Sequence, residues 1–91
     1  MLQLQPTTQF KRDRKRAIKR GLPIDKLDEA IEIIQTEQLL DPKYCDHALA
    51  GNYIGFRECH IQPDWLLIYA INGKNLILIV SRTGTHSDLF D

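Results

Sequence analysis

The sequence predicts a small α+β domain in which two helices cover one face of a mainly antiparallel sheet. Two nearly continuous apolar runs, 65–71 and 76–80, indicate central strands, and Asn72-Gly73 between them is a strong signal for a two-residue hairpin turn. Earlier in the chain, apolar residues recur at the spacing of a helix with one buried face, at Leu27, Ala30, Ile31 and Ile34. A chain of 91 residues without a linker or an internal repeat is enough for a single domain, 1–91.

The N-terminal segment predicts a short strand followed by a first helix. Residues 2–5 alternate between apolar and polar side chains, as in a strand with one buried face. Thr7 or Thr8 caps the helix, which runs to about Arg20, and Gly21 is placed to adopt the left-handed conformation at its end. The predicted apolar face of this helix is thin and consists of Phe10, Ala17 and Ile18.

The second helix follows after a tight link, so that the two helices form a hairpin packed on the sheet. Asp25 is the predicted N-cap, and the acidic residues of the first turn suit the helix dipole. Leu39 and Leu40 are expected to close the open end of this helical hairpin.

The C-terminal half predicts a meander of three antiparallel strands and a tail. The strands are 53–61, 65–71 and 76–80, which are rich in aromatic, β-branched and other apolar residues. The strand pattern breaks at 81–84, and the residues from 85 onward form a turn or a short helical turn.

The predicted turns determine which residues face each other in the meander. A two-residue turn at Asn72-Gly73 makes Trp65 face Val80. A second turn of two residues, at Gln62-Pro63, makes His60 face Trp65. This register brings four polar side chains to one end of the sheet, on the rim or on the face that the helices leave uncovered: His60, Asp64, Arg82 and His86.

These four residues suit acid–base chemistry on a phosphodiester. Histidine exchanges protons near neutral pH, a carboxylate can orient an imidazole, and the arginine fork matches phosphate oxygens. A metal-free ribonuclease needs such a set, because a base removes the 2′-hydroxyl proton, an acid protonates the leaving 5′-oxygen and a cation stabilises the charged transition state. A single histidine at a strand end is more often a surface residue. The prediction of a ribonuclease site therefore depends on these four residues lying at one end of the sheet. His47, in a loop, is the third histidine.

Metal and serine-hydrolase sites fit the sequence less well. Cys59 and His60 are adjacent on a strand, so their side chains point to opposite faces, and no zinc-binding spacing is present. No serine has the setting of a nucleophile elbow. We therefore predict no metal and no cofactor.

Trp65 and Phe90 are candidates either for the core or for stacking on RNA bases, with Trp65 expected partly in the core.

Charge is segregated along the chain, although the net charge is zero. Residues 1–22 carry seven Lys or Arg against Asp13 alone, whereas the remainder carries five Lys or Arg against eleven Asp or Glu. A basic block suits a polyanion such as nucleic acid, and a solvated helix face is the equally weighted alternative. The residues predicted to contact RNA through this block are Lys11, Arg12, Lys15, Arg16 and Lys19.

The sequence predicts a cytoplasmic protein without a membrane partner. No apolar run is long enough to span a bilayer, and the N-terminus lacks the basic-then-apolar pattern of a signal peptide. Cys45 and Cys59 lack the spacing of a disulfide framework, which favours free thiols in a reducing compartment.

The chain resembles the YafQ branch of the RelE/ParE superfamily of bacterial type II toxins, most specifically in residues 46–49, 56–61, 63–69 and 82–90. The similarity covers essentially the whole chain. It implies a RelE-like fold and a ribosome-dependent endonuclease that cuts mRNA codons in the decoding site. It also implies a tight complex with a cognate antitoxin protein, and repression of the operon by that complex, so that operator DNA is a partner of the complex alone.

The resemblance also implies which residues carry the function, and the corresponding positions here are His47, His60, Asp64, Arg82, His86 and Phe90. We assign His86 as the general acid, His60, together with His47, as the base or its support, and Asp64 as the group that orients a histidine.

The remaining assignments concern phosphate and base. Arg82 stabilises the charge on the phosphate in the transition state, and Phe90 and Trp65 help to place the base. The basic first helix is expected to face ribosomal RNA. Two alternatives stay open: a toxin of the same fold that binds a protein target such as DNA gyrase, and a plain RNA-binding module. Neither of them needs the histidines as proton donors.

Overall fold

The computed structural model describes residues 1–90, which fold into five strands and three helices. In chain order, the strands are β1 (Gln3–Pro6), β2 (His47–Ala48), β3 (Arg57–Gln62), β4 (Trp65–Asn72) and β5 (Ile77–Gly84). The helices are α1 (Thr8–Lys19), α2 (Ile24–Gln35) and α3 (His86–Phe90), and two 3-10 turns, Pro42–Tyr44 and Gly51–Tyr53, flank β2. None of the helices within residues 1–90 is long and apolar enough to cross a membrane.

All five strands join one sheet in the order β1-β5-β4-β3-β2. The predicted antiparallel meander is confirmed and consists of β3, β4 and β5. β1 pairs in parallel with β5 and extends the sheet at one edge, whereas the two-residue β2 pairs only with the first part of β3 at the other edge. From Cys59 onward, the outer side of β3 therefore has no strand partner among the described residues.

The two long helices cover one face of the sheet, which confirms the predicted α+β arrangement. The core between the layers is apolar and contains Phe10, Ala17, Leu27, Ala30, Ile31, Ile34, Trp65, Leu67, Tyr69, Leu78 and Val80. A smaller cluster on the opposite face packs α3 and the loop before β3 against β4, and it consists of Leu66, Ile68, Leu89, Leu49, Tyr53 and Phe56. No long helix covers this second face, so polar side chains on it can meet a substrate.

The loop between β4 and β5 is longer than the predicted two-residue turn. Asn72 pairs with Ile77, and residues 73–76 form a loop of four residues. The side chain of Asn72 accepts a hydrogen bond from the backbone N–H of Asn75 at 3.1 Å. This side-chain bond closes the loop in place of a two-residue backbone turn.

The predicted register of the meander is consequently wrong in both hairpins. Val80 faces Tyr69 rather than Trp65, because the longer loop shifts β5 along β4. In the other hairpin the turn lies one residue later than predicted and a β-bulge follows beside His60, and the two together make His60 face Leu66 rather than Trp65. The connection between β3 and β4 has two residues as predicted, but they are Pro63 and Asp64 rather than Gln62 and Pro63, because Gln62 still pairs with Trp65.

The first helix begins and ends as predicted, whereas the second has a different N-terminus. The Thr7 hydroxyl accepts a hydrogen bond from the backbone N–H of Phe10 at 3.0 Å, and Gly21 has a φ of 77°. α2 begins directly after Pro23 without a side-chain cap, so the prediction of Asp25 as the N-cap is wrong. The φ that the proline ring imposes already suits a helix start, which places Asp25 inside the first turn.

The buried face of α1 contains a carboxylate. Phe10, Asp13 and Ala17 are buried, whereas Ile18, which we predicted to belong to this face, is 49% exposed. Positions three and seven residues after Phe10 lie on one helical stripe, so Asp13 takes a core position between two apolar residues.

The structure differs from the prediction in the bounds of two strands and in the position of Leu39. β3 begins at Arg57, because residues 51–53 form a 3-10 turn instead of a strand. β5 continues to Gly84, since a β-bulge lets the strand pass through the segment that was expected to break it. Leu40 packs against the core as predicted, whereas Leu39 is fully exposed.

Candidate active site

A row of residues crosses the uncovered face of the sheet from β2 to β5. The strand pairs that align this row are His47–Glu58, Glu58–Ile68 and Ile68–Arg82. Facing residues of paired strands point to the same side, and Ile68 belongs to the cluster on the face away from α1 and α2. His60 lies two residues after Glu58 on β3 and therefore shares this face.

Glu58 lies between two histidines. Its side chain is only 5% exposed, and its Oε1 is 3.6 Å from Nε2 of His47 and 3.4 Å from Nε2 of His60. An ionised carboxylate in this buried place can neutralise a proton that either ring takes up.

Asp64, in the turn between β3 and β4, binds His86 at the start of α3. Its Oδ1 accepts hydrogen bonds from Nδ1 of His86 at 2.8 Å and from the His86 backbone N–H at 3.1 Å. These two hydrogen bonds lower the pKa of Asp64, although both side chains are exposed. The ring of His86 is thereby oriented, and its Nε2 remains available to a substrate.

The three imidazoles form one cluster. The ring centroids of His47 and His60 are 6.4 Å apart, and those of His60 and His86 are 6.0 Å apart. Each Nδ1 lies near an oxygen: the Cys45 carbonyl at 2.8 Å for His47, the Pro63 carbonyl at 3.3 Å for His60, and Asp64 at 2.8 Å for His86. For His86 the carboxylate acceptor favours a proton on Nδ1 and leaves Nε2 as the reactive nitrogen, whereas His47 and His60 have an oxygen near both ring nitrogens, because Glu58 lies beside their Nε2.

Arg82 is held by the buried Asp13. Nε of Arg82 donates to Oδ2 of Asp13 at 2.7 Å, and Nη2 donates to Oδ1 at 3.3 Å. Asp13, whose side chain is 1% exposed, also accepts from the backbone N–H of Thr83 at 3.2 Å. The hydrogen bond to Asp13 raises the pKa of Arg82. The guanidinium is thus fixed in place, with other N–H groups left for a phosphate.

The predicted convergence holds for three of its four members, which are His60, Asp64 and His86. His47, which was predicted from a loop, joins them through Glu58. Arg82 shares the row of Glu58, but its polar contacts are with α1.

Asp88 attaches the short helix α3 to α1. Arg20 donates to Asp88 from Nη1 at 2.7 Å and from Nη2 at 3.2 Å, and the backbone N–H of Thr85 donates to it at 2.9 Å. Chiefly the hydrogen bond from Arg20 lowers the pKa of Asp88. A helix of five residues is too short to be stable alone, so this attachment helps to position His86.

The two candidate base-binding aromatics have opposite environments. Phe90 is 44% exposed, and its ring centroid is 6.3 Å from that of His86 and 5.7 Å from that of Tyr53. Trp65 is buried in the core under the helices, where its Nε1 donates to Oγ1 of Thr83 at 3.0 Å. The predicted contact of Trp65 with a base is therefore wrong for the folded chain, whereas Phe90 has the exposure that stacking requires.

The basic block of α1 is divided between ion pairs and exposed cations. Arg14 pairs with Asp28 at 2.6 Å, and Arg16 contacts Asp13 at 3.4 Å and Asp88 at 3.7 Å. Arg16 therefore shares its guanidinium with two carboxylates, while its side chain remains 40% exposed and its RNA contact stays a prediction. Within residues 1–90, no ion pair forms at the exposed Lys11, Arg12, Lys15 and Lys19.

Sequence reasoning missed two carboxylates of this region. Glu58 could have been found, because a residue two positions before His60 on a strand shares its face. Asp13 is the only acid of the basic block and lies one helical turn after Phe10, which was already a signal for a buried partner of a basic residue.

The described part of the chain contains no group of three His, Cys, Asp or Glu side chains arranged to hold a metal ion. The exposed Asp64 and the buried Glu58 lie beside different histidines, so that each carboxylate serves as a hydrogen-bond or charge partner of an imidazole.

Comparison with known proteins supports one family. Residues 2–91 match the family described as "Bacterial toxin of type II toxin-antitoxin system, YafQ". The mRNA interferase toxin YafQ of Escherichia coli K12 is 40% identical over 83 residues, which are 90% of this chain and 88% of that protein.

Solved structures give the same result. The crystal structure of a metal-bound toxin from Helicobacter pylori has a TM-score of 0.93 at 41% identity, over 99% of this chain and 100% of that chain. The crystal structure of the E. coli DinJ-YafQ complex matches with a TM-score of 0.90 at 35% identity, over 100% of both chains. The chain therefore belongs to the YafQ family of bacterial toxins of type II toxin–antitoxin systems.

Proposed function

We propose that the chain is an mRNA interferase that cuts mRNA on the ribosome by metal-independent acid–base catalysis and so inhibits translation. The observation that carries this proposal is a pair of carboxylate–imidazole contacts on one open face, formed by Asp64 with His86 and by Glu58 with His60. The E. coli relative is named as an mRNA interferase, which supports the same class and gives no support to a gyrase-binding toxin.

In this mechanism, His60 removes the proton from the attacking 2′-hydroxyl. Its Nδ1 donates to the Pro63 carbonyl, so Nε2 is the nitrogen that accepts the proton. Glu58, 3.4 Å from this Nε2, then stabilises the imidazolium that forms. His47 lies on the other side of the same carboxylate and supports its position.

His86 donates the proton that the leaving 5′-oxygen needs. Asp64 accepts the hydrogen bond from its Nδ1, which orients the ring and leaves the Nε2 proton for the substrate. His86 and His60 are adjacent in the cluster, so an acid and a base can act on opposite sides of one phosphate. Arg82 stabilises the charge on that phosphate, and Phe90 stacks on a neighbouring base.

The test of this function is the chemistry of the products. Purified protein incubated with ribosomes that carry an mRNA should leave 2′,3′-cyclic phosphate (or its hydrolysed form) and 5′-hydroxyl ends at cuts in the decoding site. Cleavage should persist with a chelator selective for transition metals while magnesium is held constant, because attack by a 2′-hydroxyl needs no metal-bound water. Products with 5′-phosphate ends, or activity that zinc alone restores after chelation, would contradict the mechanism.

The same family membership suggests the protein partners. The DinJ-YafQ structure contains a complex of a toxin with a second protein, and we infer that this chain likewise binds a cognate antitoxin. Binding to operator DNA is assigned to that complex alone. The proposed location is the cytoplasm, where ribosomes and mRNA are found.

The exposed cations of α1 are proposed to meet ribosomal RNA. Replacing Lys15 with glutamate should weaken binding to ribosomes and reduce the salt dependence of that binding by roughly one unit of slope, since each phosphate contact releases about one counterion. Lys74→Glu is the matched control, because Lys74 is an exposed lysine in the loop between β4 and β5. Equal ribosome affinity for the Lys15 variant, the control and the unmodified protein would show that this face of α1 is merely solvated.

A further inference from the structure

A cavity of about 510 Å³ lies beside the histidine cluster, at the edge of the sheet. Its walls come from α2, from the 3-10 turn before β2 and from the end of β3, with Lys26, Lys43, Cys45, His60 and Gln62 among the lining residues. The volume is within the range of pockets that hold small ligands, about 300–1,000 Å³. His60 lines this cavity, and its ring also lies 6.0 Å from that of His86, so the cavity adjoins the histidine cluster through His60.

The cavity exists because β2 is short. β2 pairs with Arg57 and Glu58 only, so the part of β3 from Cys59 to Gln62 has no strand on its outer side within residues 1–90. The 3-10 turn Pro42–Tyr44 lies beside this edge and forms part of the cavity wall instead.

A second cleft lies on the other side of the cluster. It is lined by Asn52, Tyr53 and Phe90, and the exposed ring of Phe90 adjoins His86. An RNA strand cut between His60 and His86 must continue in both directions from the scissile phosphate. The Phe90 cleft offers a stacking surface for one direction, and the cavity beside His60 is the space that remains for the other.

The charges of the cavity suit a nucleotide. Lys26 and Lys43 are exposed, and neither forms an ion pair among the described residues. Glu29 is the one acid on the wall, and the amide of Gln62 lies near His60. Lysine ammonium groups bind phosphate oxygens, whereas a carboxylate and an amide can accept or donate hydrogen bonds at a base edge.

We propose that this cavity binds the nucleotide that adjoins the cleaved bond on the side opposite to Phe90, with Lys26 and Lys43 contacting its phosphate groups. The inference rests on the proposed ribonuclease function and adds a second subsite to it. In this arrangement His60 stands at the border between the two subsites, which is the position that a base needs beside the attacked phosphate.

Crosslinking can show directly where each nucleotide lies. The substrate is an mRNA on ribosomes whose cut site is blocked by a 2′-deoxy nucleotide and which carries 4-thiouridine on one side of that site or on the other. After irradiation, one position should crosslink to the peptide that contains Lys43 and Cys45, and the other to the peptide of Tyr53 or of Phe90. Crosslinks from both positions to the Phe90 side alone would overturn the inference.

Kinetics provide the second measurement. The double variant Lys26→Glu/Lys43→Glu should raise KM for cleavage roughly tenfold or more with little change in kcat, because charge-assisted contacts to phosphate are lost. Lys74→Glu is again the control and should leave KM unchanged. An unchanged KM in the double variant would overturn the inference, as would a raised KM without mRNA crosslinks to the Lys43 peptide, since ribosomal RNA would then be the partner of these lysines.

The outcomes separate the two proposals. Absence of cleavage by the unmodified protein would reject the ribonuclease function itself. Cleavage by the unmodified protein together with an unaffected double variant would reject only the second subsite. Both lysines are exposed, so the double variant should fold, which thermal unfolding can verify.

Discussion

Replacing His86 with alanine is expected to slow the cleavage of normal RNA by at least about 10²–10⁴-fold. The 5′-oxygen of ribose is a poor leaving group and needs a proton as the bond to phosphorus breaks. Among the contacts within residues 1–90, His86 is the one histidine whose Nδ1 is bound by a carboxylate, and its side chain is 55% exposed, so Nε2 can reach a substrate. The same exposure means that the variant should retain the stability of the unmodified protein.

A modified substrate distinguishes the acid from the base. An RNA with sulfur in place of the 5′-oxygen has a good leaving group, so it should restore most of the rate of the His86→Ala variant. It should not restore the rate of His60→Ala, which lacks the proposed base. Rescue of His60→Ala in place of His86→Ala would reverse the two assignments. Single-turnover rates on ribosome-bound mRNA are the appropriate measurement, because product release then does not limit them.

Replacing Asp13 with alanine should lower the free energy of unfolding by about 3 kcal/mol. The variant leaves the guanidinium of Arg82 and the backbone N–H of Thr83 without their partner, and removal of one member of a buried ion pair is strongly destabilising. Because Arg82 keeps some exposure, we expect the lower end of the usual range. Denaturant unfolding measures the change.

A surface ion pair serves as the control for Asp13. Asp28→Ala removes the pair with Arg14, whose two side chains are 36% and 48% exposed, and should cost less than about 1 kcal/mol. At a temperature where both variants are folded, Asp13→Ala should also lower kcat, since Arg82 loses its fixed position, whereas Asp28→Ala should not. Equal stability and equal kcat for the two variants would show that Asp13 neither supports the fold nor positions Arg82.

Local patterns predicted most of the fold. The stripe of α2, the Thr7 cap of α1 and the two apolar runs of β4 and β5 each depend on residues close in sequence, and each is present in the structure. The errors arise where a distant or unusual contact determines the length of a loop or the register of two strands. The side chain of Asn72 closes a longer loop, and β-bulges displace the register, so neighbouring residues alone could not fix which side chains face each other.

The candidate site shows the same division. The convergence of His60, Asp64 and His86 was predictable because their residue types suit acid–base chemistry and because the hairpins bring them to one end of the sheet. Trp65 was expected partly in the core and also beside a base, since an indole fits either place, and the packing of α1 and α2 decides for the core. Asp13 lies about 70 residues from Arg82 in the chain, a separation over which sequence spacing carries no information.

Because α3 has five residues and is held by few contacts, the proposed acid, His86, lies in a segment that can open locally while the sheet that carries the proposed base, His60, stays folded. His60 and Glu58 are part of the sheet, which is held by the main core. His86 is part of five residues that are held by the Arg20–Asp88 contact, by Leu89 in the small cluster and by the hydrogen bonds from His86 to Asp64. Fraying of this segment would disable proton donation while the sheet stays native, so the lifetime of the competent site is set by the weakest local opening rather than by global unfolding.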